Sequence, residues 1–407
     1  MCGSRCIEVE TRDNLGRVIR VGKGAGRTTI ERQPLQHKSS LNILSEFGKY
    51  FLPGPTEVRP EVLEAMVRPV IGHRTAEMEA LMDRVAPRLR WLFRTQRPVY
   101  ISTSSATGLM EAAIRNCAPR RVLSLVCGAF SERFYKIAVA CGKDADRITV
   151  GLGESNEPQS VRDALAGGDY DAVTVVHSET STGVLNPLED IARVVLEVAP
   201  DAHLLVDCVT SLASAPVEVD AWGLDFALAG SQKGIALPPG LAFGVASQRA
   251  YDRSLSVSGR GLYFSFEALE EAAAKKQTAN TPAISLLYAL DEQLARIEEE
   301  SLEARWARHA GMAERTWDWV AGMRERHGIE LRVLAAEGRR SPSVTCVALP
   351  DGLSGVDVTR TMRAHGFTIA SGYAGLKERT IRIGHMGDHT VGELEALLGQ
   401  LEKVIIG

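Results

Sequence analysis

Apolar residues fall along this chain in two rhythms. Between 77 and 93, Met78, Leu81, Met82, Val85, Leu89 and Leu92 recur at steps of three and four. That spacing predicts an amphipathic helix with one wet face. Elsewhere the apolar positions come as short unbroken runs, at 99–102, 121–126, 148–150, 171–176, 203–207, 226–229 and 241–245. Helical patterns separate several of them, through Met110, Ala113 and Ile114, then at 130–141 and 191–198. Such alternation predicts an α/β fold with a mostly parallel sheet buried on both faces.

After a helix at 283–301 and a charged one at 302–326, the pattern restarts. Strands at 330–334, 344–348, 367–370 and 380–383, with helices near 356–365 and 391–405, predict a smaller carboxy-terminal α/β domain. The expected division is an amino-terminal extension at 1–47, a large domain at 48–290 and a small domain at 291–407. Within the extension, 18–21 reads as a strand or as part of a basic arm. Gly22-Lys23-Gly24-Ala25-Gly26 is neither a Walker loop nor a dinucleotide fingerprint. No Gly-Lys-Ser/Thr stands at the required spacing, and no helix with a core stripe follows.

Composition narrows the class. A chain of 407 residues is long enough for two domains and a large core. Its 47 basic and 51 acidic residues leave a net charge of −4, which argues against a general nucleic-acid binder. No apolar run approaches the ~20 residues of a membrane span. No signal core follows Met1-Cys2-Gly3-Ser4-Arg5-Cys6, so a cytoplasmic protein is expected. The seven cysteines are dispersed without zinc spacing and read as reduced core thiols.

Candidate chemistry gathers at strand ends, where ligands of such sheets lie. Asp207 closes the run at 203–207, and Lys233 follows the run at 226–229. Ser105 and Thr180 also follow strands at that end. Thr103-Ser104-Ser105-Ala106-Thr107-Gly108 leads into a helix, a turn that either caps it or binds phosphate on free N–H groups. Arg382 stands inside the apolar strand at 380–383, where a guanidinium must find an anion, either a buried carboxylate or a ligand. Phe51-Leu52-Pro53-Gly54-Pro55-Thr56 is a stiff turn. His73-Arg74 is either a solvated pair at a helix start, with Thr75 as cap, or an anion contact. Phe130 is either core or an exposed stacking ring, and Asn280-Thr281-Pro282 is a helix start. His385 and His389 are no metal pair, because Gly384 and Gly387 argue against a helix.

With Ser231-Gln232-Lys233 following its strand, the chain resembles the class V branch of the fold-type I pyridoxal-phosphate (PLP) enzymes, on the aminotransferase side. The resemblance runs from about 48 to 407. It is densest at 99–113, 177–186, 204–209, 230–240, 278–288 and 380–387. It implies a Schiff base between Lys233 and PLP, with Asp207 on the ring nitrogen. Ser105, Ala106 and Thr107 would meet the phosphate, with Gln232 at the phosphate or the ring's neighbours. Phe130 would stack on the ring, and Thr180 would lie close to its substituents. Arg382 would clamp the substrate carboxylate, with Arg74 near an anionic group. Asn280 and Thr281 would cross a homodimer interface to the partner's phosphate.

Alanine–glyoxylate and serine–pyruvate aminotransferases look most similar. The resemblance therefore implies a small amino acid as donor, an oxo acid as acceptor, and neither nucleic acid nor membrane as partner. Two departures stand out: the turn at 104–108 has less glycine than the family often has, and the extension has no counterpart. A phosphoserine-type enzyme would use His73-Arg74 on a phosphate. A cysteine desulfurase would need a His before the lysine and a cysteine on a mobile loop; here Gln232 precedes it and Cys346 lies in an apolar strand. A non-catalytic scaffold has no need of Lys233, Asp207 and Arg382 together.

Overall fold

The computed structural model describes residues 47–407 throughout and, before them, the backbone of three strands. Strands β1 (Ile7–Arg12), β2 (Val18–Gly24) and β3 (Arg27–Arg32) form an antiparallel sheet in that order, Arg12 opposite Val18 and Gly24 opposite Arg27. The strand expected at 18–21 thus runs on through Gly22, Lys23 and Gly24. Ala25, Gly26, Cys2 and Cys6 lie outside the described residues, as does most of the expected extension. Contacts divide the chain into two units, residues 1–46 and 47–407.

The second unit is built on a seven-stranded sheet. Its strands are β4 (Val99–Ser102), β5 (Arg121–Val126), β6 (Asp144–Thr149), β7 (Ala172–Val176) and, after a short hairpin β8 (Ser178–Glu179) and β9 (Val184–Leu185), β10 (His203–Asp207), β11 (Phe226–Gly230) and β12 (Ala242–Ala246). The spatial order is β4-β12-β11-β10-β7-β5-β6. Every neighbouring pair is parallel except the two that β12 makes, so β12 alone runs against the rest.

Successive side chains of a strand point to opposite faces, and both faces here are dry. Leu204 and Val206 join one core, and Leu205 joins the other. Phe243 and Val245 divide from Ala242 and Ala246 in the same way. Helices Ala76–Phe93, Leu188–Val198 and Ile284–Glu300 cover the first face. Helices Ala106–Cys117 and Phe266–Ala274 lie against the second. Each fully buried Leu or Val contributes about 1.5–3 kcal/mol.

A third core holds Phe51, Met312, Met323, Val347, Ile381, Ile383 and Leu397 around an antiparallel sheet. Its strands are β13 (Arg332–Val333), β14 (Val344–Ala348), β15 (Ala370–Ser371) and β16 (Thr380–Gly384), in the order β13-β14-β16-β15. The expected boundary at 290 falls inside a helix whose apolar face belongs to the first core, which extends as far as Leu302.

Three strands differ from expectation. The run at 148–150 is only the tail of β6, whose edge position leaves much of it wet and its polar half without an apolar signal. At 367–370 the backbone turns elsewhere: Thr368 N–H donates to the Lys49 carbonyl and Phe51 N–H to the Thr368 carbonyl, both at 2.8 Å. The strand at 330–334 shrinks to two residues at the edge of the small sheet. Residues 49–53 therefore form a ribbon on the small sheet's margin. Gly384 N–H donates to the Phe51 carbonyl at 2.9 Å, and the Phe51 ring stacks on His389 at 4.1 Å.

Candidate active site

Lys233 lies three residues past the end of β11 and is only 7% exposed. Its Nζ donates to the Pro53 carbonyl, at the end of the ribbon. Thr56 fastens the same loop, its N–H donating to the Gln232 carbonyl (3.0 Å) and its hydroxyl to the Lys233 carbonyl (3.1 Å). Between Pro53 and Thr56, Gly54 has a φ of +107°, and a Cβ there would stand 2.4 Å from the Lys233 Cδ. Only glycine meets both demands. A Gly54→Ala variant is expected to lose about 1–3 kcal/mol of stability from backbone strain. It should also lose about 10²-fold in kcat, because the lysine tip must move. Thermal melting and steady-state rates read the two effects separately.

Burial lowers the Lys233 pKa to about 8, with the Arg382 charge acting in the same direction. A sizeable neutral fraction of this amine therefore exists near pH 7–8. Asp207 ends the neighbouring strand β10, and burial raises its pKa to about 7 against the Val209 N–H, which donates to Oδ1 at 2.7 Å. Such a carboxylate is short of a cation. A protonated ring nitrogen is one that would hold it ionised.

Phe130 faces the lysine, with 5.8 Å between its ring centroid and Nζ. A flat ring in contact with Phe130 at about 3.5 Å would lie between them. Phe130 opens helix Ala129–Ala140, and the carboxylate of Glu179, fully buried, fixes that opening. Glu179 accepts from the N–H groups of Phe130 (3.1 Å) and Ser131 (2.9 Å) and from the hydroxyls of Ser131 (3.0 Å) and Ser181 (2.6 Å). An anion at a helix amino terminus meets its free donors and its dipole. Thr180, the next residue, pairs its hydroxyl with that of Thr210 at 2.6 Å.

Phe130, Thr180, Asp207 and Lys233 line one cavity, and Ser105, Ala106, Thr107 and Gln232 line it too. The Ser105 side chain makes no capping bond to helix Ala106–Cys117, so the positive end of that helix is available to an anion. Strand ends point to Ser105, Thr180, Asp207 and Lys233, and the resemblance adds Ala106, Thr107, Phe130 and Gln232. Val209, Thr210 and Arg133 also line the cavity, and no motif marked them. Arg133 stands three residues after Phe130, one helical turn on, and that spacing was the available signal.

Arg382 occupies the middle of β16, opposite Cys346 and Ala370, and is 9% exposed. Its Nε donates to the Ser371 carbonyl (3.1 Å) and one Nη to the Thr180 carbonyl (3.4 Å). The small sheet's guanidinium thus reaches the cavity loop and forms no ion pair among the described residues. Arg74 lies elsewhere: its Nη1 donates to Gln277 Oε1 (2.5 Å) and the Thr278 carbonyl (3.1 Å), and it does not line the cavity. Asn280 and Thr281 are exposed on the following loop and do not line it within this chain.

A lysine, a buried aspartate short of a cation, a facing aromatic ring and a helix amino terminus make a set that fits PLP. Among the described residues no group of side chains could hold a metal ion, and no helix is long and apolar enough to cross a membrane.

Comparison with known proteins agrees with this geometry. Residues 55–397 match the family Aminotransferase class-V. An uncharacterized aminotransferase of Methanocaldococcus jannaschii is 39% identical over 352 residues, covering 85% of this chain and 89% of that protein. The crystal structure of an aspartate aminotransferase of subgroup IV from Thermus thermophilus superposes with a TM-score of 0.79 at 35% identity, covering 88% and 99% of the two chains. That of an alanine–glyoxylate aminotransferase from Nostoc sp. gives 0.81 at 31% identity, covering 89% and 96%. The chain belongs to the class-V aminotransferase family and is a PLP-dependent transaminase of the fold-type I architecture.

Proposed function

We propose that the enzyme moves the amino group of a small amino acid, of the alanine or serine type, to an oxo acid of the glyoxylate or pyruvate type. One observation carries this reading: the Lys233 amine and the Asp207 carboxylate line one cavity at the carboxyl edge of the large sheet, and the Arg382 guanidinium reaches from the small sheet to the carbonyl of Thr180 on that cavity's wall. PLP bound there supplies the amino-group carrier and the electron sink. Ser105, Ala106, Thr107 and Gln232 hold its phosphate side, Phe130 covers one ring face, and Asp207 pairs with the ring nitrogen. Thr180, already tied to Thr210, fixes the loop beneath the ring.

Arg382 takes the substrate α-carboxylate bidentately and so sets which bond at the α-carbon faces Lys233. Lys233 Nζ, neutral in part because of its burial, accepts the α-proton and later returns one to the product. The wall formed by Pro53, Gly54 and Thr56 keeps that amine in one place. Asn280 and Thr281, exposed beside the phosphate turn, complete the phosphate site of a second subunit in a homodimer. Dispersed buried thiols at Cys117, Cys127, Cys208 and Cys346 suit the reducing cytoplasm.

Two rival activities fit less well. A phosphoserine-type site would use Arg74, which is committed to Gln277 and Thr278. A desulfurase would use a reactive cysteine, whereas Cys346 is buried in β14 and its thiol is pushed up to about 11.

An absorbance scan of the holoenzyme tests the proposal. Adding L-alanine or L-serine should discharge the yellow band of the bound cofactor, and L-phosphoserine should not. A band that no donor discharges would sink the reading.

A further inference from the structure

Three cations serve this site, and the mechanism uses two. Arg133 is the third. It rises from the second turn of helix Ala129–Ala140, and its guanidinium lies over the Phe130 ring at 4.8 Å. One Nη donates to the Tyr373 hydroxyl at 3.2 Å, and the side chain lines the cavity. It forms no ion pair among the described residues. Its neighbour Glu132 is spent on Arg147 (2.6 Å) and Lys136 (3.5 Å). The two carboxylates in the site have other tasks: Glu179 caps the helix, and Asp207 lies where the ring nitrogen belongs.

Tyr373 joins Arg133 to Arg382. Its hydroxyl meets Arg133, and its ring lies 5.6 Å from the Arg382 guanidinium carbon and 5.4 Å from the Phe130 ring. Two guanidiniums that form no ion pair among the described residues therefore flank one tyrosine. A half-buried guanidinium with only a phenol and an aromatic face for company is poorly compensated. A monocarboxylic substrate satisfies Arg382 and leaves Arg133 as it is. A second carboxylate would meet it.

We infer that Arg133 is a second carboxylate anchor and that the preferred amino donor is an α-amino dicarboxylic acid. This rests on the transaminase reading above, in which alanine or serine can serve as donor, and ranks a dicarboxylic donor ahead of them. Family membership does not decide the point, since relatives of similar identity carry aspartate in one name and alanine in another.

The test pairs a binding measurement with a spectral one, both on the holoenzyme. Calorimetry with succinate and with propionate, neither of which has an amino group to react, isolates the second carboxylate. Succinate should bind at least about tenfold more tightly, the worth of one charge-assisted pair. Arg133→Gln should abolish that preference, weakening succinate far more than propionate. Arg133→Lys should restore part of it. L-aspartate should likewise discharge the band at lower concentration than L-alanine in the wild type, and lose that advantage in Arg133→Gln. Equal affinity for the two acids, or a succinate preference that survives Arg133→Gln, overturns the inference. Failure of every amino acid to discharge the band is a different result, and it overturns the transaminase reading instead.

Discussion

Lys233→Ala is expected to cost at least about 10⁴-fold in kcat/KM, or about 5.4 kcal/mol of transition-state stabilisation. Among the described residues no second lysine lines the cavity. The two guanidiniums nearby cannot give up a proton at working pH. Water is a poor substitute, because the amine is 7% exposed and its approach is walled by Pro53 and Gly54. The fold should survive: the side chain makes one hydrogen bond and leaves a cavity already open to ligand. Rates with L-alanine and glyoxylate, alongside a circular-dichroism melt, would check both halves. Partial recovery on adding a small primary amine would show that the missing group is the base. A residual rate above about 1% of wild type would assign the proton transfer to another group.

The second large effect concerns stability. Arg305 is 2% exposed and lies on helix Leu302–His327, yet it donates to the carbonyl of Gly234, the residue after the lysine, at 2.8 Å. It pairs with Asp388 (2.8 Å) and Glu300 (2.8 Å). Asp388 also accepts from Gln293 (3.0 Å). Burial alone would raise the Asp388 pKa, but Arg305 and Gln293 overcome it and the net shift is downward. Arg305→Met leaves a buried carboxylate and a buried carbonyl short of a donor, which should cost about 3–5 kcal/mol in urea unfolding. The double variant Arg305→Met, Asp388→Leu should recover a good part of that loss, since it removes both charges. A loss below 1 kcal/mol in the single variant would mean that Arg59 and Gln293 already satisfy Asp388. The Asp388 carboxyl sits below its unfolded value, so its contribution is present above about pH 3.9 and fades as the pH falls through the folded-state value.

How much of this was legible depends on where each residue sits. β7, β10, β11 and β12 are buried on both faces, so their sequences are unbroken apolar runs and their ends point at the site. β6, β13 and β15 lie at sheet edges, where water tolerates polar residues and the run breaks up. Lys233, Asp207 and Arg382 were conspicuous as charges at or inside apolar strands. Arg133 was not, because a charge near the start of an amphipathic helix looks like part of its wet face. Tyr373 sits in a loop beside a two-residue strand and carries no periodic signal at all. Arg74, Asn280 and Thr281 were drawn to the site by resemblance, and within one chain they stand outside its cavity.

The ribbon at 49–53 has a mechanical consequence. Phe51 is held by backbone bonds to Thr368 and Gly384, and two residues later the Pro53 carbonyl accepts the hydrogen bond of the lysine amine. Arg382 shares β16 with Gly384. The substrate clamp and the restraint on the amine are thus joined by one strand, one backbone hydrogen bond and two further residues, so both hang on a single short stretch of chain.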